Sequence, residues 1–267
     1  ASNTVTAPGY IASIGALGLT GAGVTWAVTD TGIDYANPEL GASRIVGGHD
    51  FPSCPVTASQ PGNDNSQGGH GTHVAGIIGG AGVVAGGTDG SSFHYGIGIA
   101  PQVSLVALNP ICVGAAPWPP AGGWQENSKQ AIVRNAIGTN NSWTSGEGTN
   151  VGYNATARTH DFMVRDGNFD TTGVNDPFMI VFSAGNSGSN PSTLTAPKEA
   201  KNPIIVAASQ NQRVGSIMNI ASFSSRGPAV DGRVLPTITT PGEQIASPRR
   251  IGGASSCGTA IGAAPLD

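Results

Sequence analysis

The segment Gly69-His70-Gly71-Thr72-His73-Val74-Ala75-Gly76 puts a histidine where a glycine-rich loop runs into an apolar stretch containing Val74, Ala75, Ile77 and Ile78. A helix starting there would hold the imidazole firmly, and the small neighbours leave one face open to a ligand. Imidazole is the side chain best matched to proton transfer near neutral pH, so His70 is a candidate general base. Taken alone, a histidine at a helix start is more often a capping or surface residue. Other groups must decide between the two.

Two further residues fit the same chemistry. Asp30, in Val28-Thr29-Asp30-Thr31-Gly32-Ile33-Asp34, follows an apolar, β-rich run. A carboxylate there can accept a hydrogen bond from one imidazole nitrogen, fix the tautomer and stabilise the imidazolium. Its plainer reading is a turn-forming Asp before Thr-Gly. Asn186, in Ser183-Ala184-Gly185-Asn186-Ser187-Gly188, follows another apolar run. Its amide can donate to a developing oxyanion, and losing one such donor costs about 10²–10³ in rate. Its plainer reading is an Asn in a left-handed turn.

The elements needed to position these groups are visible as alternating patterns. Strands are expected over Val24 to Thr29, Val103 to Leu108, Asn140 to Trp143, Met179 to Phe182 and Ile204 to Ala208. Helices are expected over His70 to Gly80, Ser128 to Ile137 and Ala155 to Val164. This alternation implies an α/β fold with a mostly parallel central sheet covered by helices on both faces. In such folds functional residues gather beyond the carboxyl ends of strands, where Asp30 and Asn186 both fall.

The three segments in this order (Asp-Thr-Gly, His-Gly-Thr-His, Ala-Gly-Asn) resemble the subtilisin-like serine proteases, the subtilases. Ser142-Trp143 is similar to a segment forming one wall of that family's substrate groove. Phe223-Ser224-Ser225-Arg226-Gly227-Pro228, Thr240-Pro241-Gly242 and Ser192 to Ala207 also fit. The Phe-Ser-Ser-Arg-Gly-Pro run followed by Asp231-Gly232-Arg233 resembles the alkaline, oxidation-resistant secreted branch. The similarity runs from Thr20 onwards, so residues 1–267 are expected to form one catalytic domain with the three-layer subtilisin-like fold.

The resemblance implies hydrolysis of polypeptide substrates through an acyl-enzyme. A serine attacks the scissile carbonyl, and His70 takes its proton and passes it to the leaving amine. Asp30 orients His70, and Asn186 with a backbone N–H stabilises the oxyanion. Ser142, Trp143 and Thr144, with Ser183, Ala184 and Gly185, would line the primary specificity pocket and pair with the substrate backbone. Thr144 stands where the family usually has Gly, which bears on the pocket entrance or the strand pairing.

The sequence departs from the family at the nucleophile. The matching stretch reads Ser256-Cys257-Gly258-Thr259-Ala260-Ile261-Gly262-Ala263-Ala264-Pro265, with Ala260 at the serine position. Ser255, Ser256 and Cys257 lie too far upstream to substitute. As written, the chain is expected to be inactive. An engineered change, a natural peptide-binding pseudoprotease and a misassigned terminus are the alternatives. The chain stops at Asp267, seven residues after Ala260. In the family a long helix starts at the nucleophile, so the C-terminal part is expected to be missing, with another segment or a separate chain supplying it.

Composition narrows the partners. A net charge of −4 offers no basic face for nucleic acid, and no apolar run approaches the ~20 residues that span a bilayer. Only 10% of residues are charged and 41 are Gly, which suits a compact secreted protein rich in loops. The start at Ala1-Ser2-Asn3-Thr4 reads like a mature or trimmed N-terminus without a signal peptide. Of three cysteines, Cys54 and Cys112 sit in Pro-rich loops and could pair, leaving Cys257 free.

Catalysis is expected to need no cofactor. Structural calcium is compatible with the oxygen ligands of Asp34, Asn37, Glu39, Asp50, Asp64, Asp170 and Asp176, but none lies in a recognisable calcium-loop pattern. A metal-dependent hydrolase built on His70 and His73 is disfavoured, because the two are three residues apart rather than four and no third ligand is suitably spaced.

Overall fold

The computed structural model describes residues 15–52, 54, 59–64, 68–83, 96–112, 119–212 and 214–251. Ala260, Ser255, Ser256 and Cys257 lie outside the described residues. The chain divides into two compact units, one within Ala1–Ala115 and Gln244–Asp267, the other within Ala116–Glu243.

The first unit holds β1 (Thr25–Thr29), β2 (Ile45–His49), α1 (His70–Gly79) and β3 (Ser104–Leu108). The strands are parallel, in the order β2-β3-β1. Alternate positions of β1 need no polar face because Ala27, Val28 and Thr29 are all fully buried. Such two-sided burial is characteristic of parallel sheets. Val28, Ile33, Leu40, Ile45, Ala75, Val103, Leu105 and Ala107 form one cluster that joins α1 to β1 and β3. The register pairs Thr29 with Leu108, and Asp30 N–H donates to Leu108 O at 3.0 Å. Asp30 is thus held rigidly at the carboxyl end of β1.

Cys54 and Cys112, 58 positions apart in sequence, are joined by a disulfide, with Cα atoms 5.5 Å apart. It ties the segment after β2 to the segment after β3. Replacing both cysteines by Ser is expected to lower the unfolding free energy by about 2–4 kcal/mol, read as a shift of the urea midpoint.

The second unit holds α2 (Gln125–Ile132), β4 (Gly138–Asn141), α3 (Ala155–Arg165), β5 (Met179–Ser183), β6 (Ile204–Ser209) and β7 (Ile238–Pro241). Its strands are parallel, in the order β4-β5-β6-β7. Helix α2 packs on β4 and on α3, and α3 packs on β5. Phe178, Ile180, Phe182, Leu194 and Ile205 form its interior, each no more than 2% exposed. Helix α3 is capped by Asn154, whose side chain accepts from Ala157 N–H at 2.9 Å.

Three differences from the sequence expectation have local causes. Helix α2 begins three residues earlier than expected and ends at Ile132, because Asn135 takes a left-handed φ of 62° that closes the helix before Ala136 and Ile137. Strand β4, Gly138–Asn141, lies two residues earlier than expected at both ends, leaving Ser142 and Trp143 beyond it, since Gly and Asn carry little β signal. Its pairing is helped by Asn141, whose side-chain amide donates to Val181 O at 3.2 Å. Strands β2 and β7 lie at the edges, with Gly47-Gly48 in one and full exposure of the other, so neither shows an apolar run. No helix among the described residues is long and apolar enough to cross a membrane.

Candidate active site

Asp30 and His70 come together although 40 residues separate them. Asp30 is fully buried, and its Oδ1 lies 2.6 Å from His70 Nδ1. The imidazole is 36% exposed, so the pair has a buried anionic end and a solvent-facing ring. Asp30 Oδ1 also accepts from Thr31 N–H at 2.8 Å, while Oδ2 is buried with no hydrogen-bond partner among the described residues. With Nδ1 turned to Asp30, Nε2 is the ring nitrogen that would exchange a proton.

The start of α1 is fixed by contacts that only small residues allow. Gly71 N–H donates to Thr31 Oγ1 at 2.8 Å, fastening the helix to the turn after β1. A Cβ on Gly71 would strike Gly32 O and lie 3.1 Å from Asp30 Cβ. Any larger residue would therefore push His70 away from Asp30. The N-cap position is Gly69, with φ 83° and no side chain to cap with.

Asp64 takes over that function. It is fully buried and accepts from Gly69 N–H (3.3 Å), Thr72 N–H (3.2 Å) and the Thr72 hydroxyl (2.7 Å). Burial nevertheless pushes its carboxyl up to about 6, against the pull of these donors.

In the second unit, Asn186 is exposed just past β5. Its loop is pinned from below: Ser225 N–H donates to Gly185 O at 2.9 Å, Ser187 N–H donates to Ser225 Oγ at 3.0 Å, and Gly188 N–H donates to Phe223 O at 2.9 Å. Past β4, Ser145 N–H and the Thr144 hydroxyl both donate to Ala196 O, at 2.9 and 3.0 Å, and Ala196 N–H donates to Gly148 O at 3.1 Å. Segments 144–148 and 195–196 are therefore laced together. Ser142 and Ser183 are half-buried, Ala184 is buried and Thr144 is exposed. Trp143 is 8% exposed, stacked on Trp124 at 5.5 Å and edge-on to Phe182 at 4.9 Å. Its indole therefore packs into the interior.

Residues 21–264 match the Subtilase family, Peptidase S8. The chain belongs to the subtilases.

This subtilase is 30% identical over 251 residues to the serine protease AprX of Bacillus subtilis (strain 168), covering 86% of this chain and 49% of that one. It is also 30% identical over 238 residues to subtilisin E of the same organism, with the same two coverages. It spans about half the length of these curated relatives. Among solved structures, a cold-adapted subtilisin-like serine proteinase superposes with a TM-score of 0.55 at 24% identity, over 88% of this chain and 68% of that one. The psychrophilic subtilisin-like protease Apa1 from Pseudoalteromonas sp. AS-11 superposes with a TM-score of 0.59 at 18% identity, over 86% of this chain and 43% of that one. The fold is therefore the three-layer subtilisin-like α/β fold.

The carboxylates named as possible calcium ligands accept hydrogen bonds or form ion pairs within this subtilase. Asp34 accepts from Ala36 and Ile251 N–H groups, and Glu39 accepts from Val83 N–H. Asp50 accepts from Gly62 N–H and the Asn109 side chain. Asp170 pairs with Lys129, and Asp176 accepts from the Thr171 hydroxyl. Among the described residues no three His, Cys, Asp or Glu side chains converge on a metal position.

Sequence reasoning passed over His160, which lies on the buried face of α3 at 1% exposure. Its Nδ1 donates to Thr156 O at 2.8 Å, and the ring packs against Trp124, Trp143 and Phe182. The burial pushes its pKa down from 6.5 to about 4. The folded state thus holds a neutral imidazole where the unfolded chain takes up a proton. This stabilisation is complete above pH 6.5 and is lost as the pH falls towards 4. The loss should be on the order of 3 kcal/mol across that window. Asp64 acts with the opposite sign, since its raised pKa makes stability fall as the pH rises from about 4 to about 6. Urea midpoints at pH 7 and pH 4 are therefore expected to fall less on acidification in His160→Phe than in the unaltered protein.

Proposed function

We propose that this subtilase scaffold serves a secreted serine endopeptidase, with His70 as general base, Asp30 as the group that orients it, and Asn186 as an oxyanion donor. Polypeptides are the proposed substrates, with Ser142 to Thr144 and Ser183 to Gly185 along the primary pocket. The observation that carries this reading is the 2.6 Å contact between His70 Nδ1 and a fully buried Asp30. It holds the imidazole in the tautomer that can take a proton from a hydroxyl at Nε2 and return it to a leaving amine. Asn186, exposed at the tip of a pinned loop, has the chemistry to donate to a tetrahedral oxyanion.

Alanine at 260 removes the nucleophile and favours a second reading, a peptide-binding scaffold without turnover. The two separate in one assay. The full-length protein carrying Ala260→Ser is offered a chromogenic peptide, with and without a serine-directed phosphonate and with and without a chelator. Turnover abolished by the phosphonate and unaffected as chemistry by the chelator supports the protease. Folded protein that binds peptide without turnover leaves the binding scaffold. We assign no calcium site, and the proposed chemistry needs no cofactor.

A further inference from the structure

Lys198 occupies an unusual place for a lysine. It is 1% exposed, and its backbone N–H donates to Thr195 O at 3.0 Å, closing a turn that brings the side chain back over Thr195. There Nζ donates to Thr195 Oγ1 at 2.7 Å. An ammonium has three N–H donors. Among the described residues, Thr195 is the only hydrogen-bond partner of this one. Among the described residues the adjacent Glu199 forms no ion pair with it; its Oε2 accepts from Val230 N–H at 2.8 Å. Lysines that serve only packing usually extend the ammonium to water, and buried ones are usually paired. Burial lowers the pKa of Lys198 to about 8, which still leaves it mostly charged at neutral pH.

The ammonium lies beneath Gly185. A Cβ placed on Gly185 would stand 3.4 Å from Lys198 Nζ, 3.1 Å from Thr195 Oγ1 and 2.9 Å from Ser225 Oγ. Gly185 has a φ of 112°, is half-buried and carries no side chain over the three groups. Ser225 Oγ accepts from Ser187 N–H, which leaves its own hydroxyl hydrogen to donate. Three polar groups therefore converge below one uncovered α-carbon, with donors in excess of acceptors. That arrangement is complementary to an anion.

We infer that Lys198 determines specificity in the primary pocket, selecting substrates with a carboxylate side chain, glutamate foremost, at the residue preceding the scissile bond. This inference rests on the proposed placement of Ser183 to Gly185 along that pocket. A glutamate side chain entering past Gly185 would bring its carboxylate to the two remaining ammonium N–H groups and the Ser225 hydroxyl. A glutamine of the same shape would leave the ammonium without a counter-charge.

The test is a binding measurement, which needs no turnover. Fluorescein-labelled Ala-Ala-Pro-Glu, Ala-Ala-Pro-Gln and Ala-Ala-Pro-Phe amides are titrated with the full-length protein and followed by polarisation. The Glu peptide is expected to bind at least about tenfold more tightly than the Gln peptide, since a buried charge left unpaired penalises the neutral isostere. In Lys198→Met, with folding checked by circular dichroism, that ratio is expected to fall to about one. Lys198→Gln is a second variant that keeps a donor for Thr195 while removing the charge. Equal affinities for Glu and Gln in the unaltered protein, or a Glu preference that survives in either folded variant, would overturn the inference. Binding of the Phe peptide alone would sink Lys198 selectivity and spare the peptide groove. Failure of all three peptides to bind would sink the groove itself, and the role of Lys198 with it.

Discussion

Placing serine at position 260 of the full-length protein is expected to raise peptide hydrolysis by roughly 10⁶-fold over the alanine form. The size follows from how the triad works as a unit. On the proposed reading His70, held by Asp30, takes its proton from a hydroxyl at position 260, and a methyl group there offers neither a proton nor a lone pair. Without it, what remains is water attack helped by substrate binding and oxyanion stabilisation, about 10³–10⁴ above the uncatalysed rate. The measurement is kcat on a chromogenic peptide, with phosphonate titration to count active sites. A gain below about tenfold in folded protein would show that residue 260 is not the nucleophile position.

In that serine-bearing background, Asp30→Asn is expected to lower kcat by about 10⁴-fold with a much smaller change in KM. Asp30 is fully buried, and its Oδ1 meets His70 Nδ1 at 2.6 Å. An amide of equal size keeps the packing but takes away the negative charge. It can also present N–H to the ring, which stabilises the tautomer whose Nε2 already carries a proton. Such a ring cannot act as a base. If Asp30 only shaped the turn after β1, the substitution would shift the melting temperature and leave kcat within about tenfold. The kcat-to-KM split and a thermal melt distinguish these outcomes.

Much of this architecture was legible locally. The run Val24 to Thr29 carried its strand signal because two-sided burial leaves apolar residues at consecutive positions. His70 to Gly80 read as a helix from its apolar spacing, and the helix ends within one residue of that estimate. Elements with polar or glycine-rich sequences were harder to read. Strand β2 contains Gly47-Gly48 and β7 is exposed along its whole length, so their pairing owes more to their neighbours than to their own side chains. The end of α2 depends on the left-handed backbone of Asn135, a conformation that Asn tolerates but does not announce.

The candidate site divides the same way. The positions of Asp30, His70 and Asn186 were readable because each follows a strand end or begins a helix within a few residues of its own motif, and the alanine at 260 is a plain fact of the sequence. Contacts between distant segments were decided only by the tertiary structure. It brings Asp64 to cap a helix whose own N-cap is glycine, and joins Cys54 to Cys112. It buries His160 among aromatic rings and turns the Lys198 ammonium under Gly185. A carboxylate, an imidazole or an ammonium has the same sequence signature in water as in a protein interior. Its desolvation and its partners depend on chain segments tens of residues away. Residue type and spacing therefore named the chemistry, while burial and long-range contact decided which charged groups must find a partner.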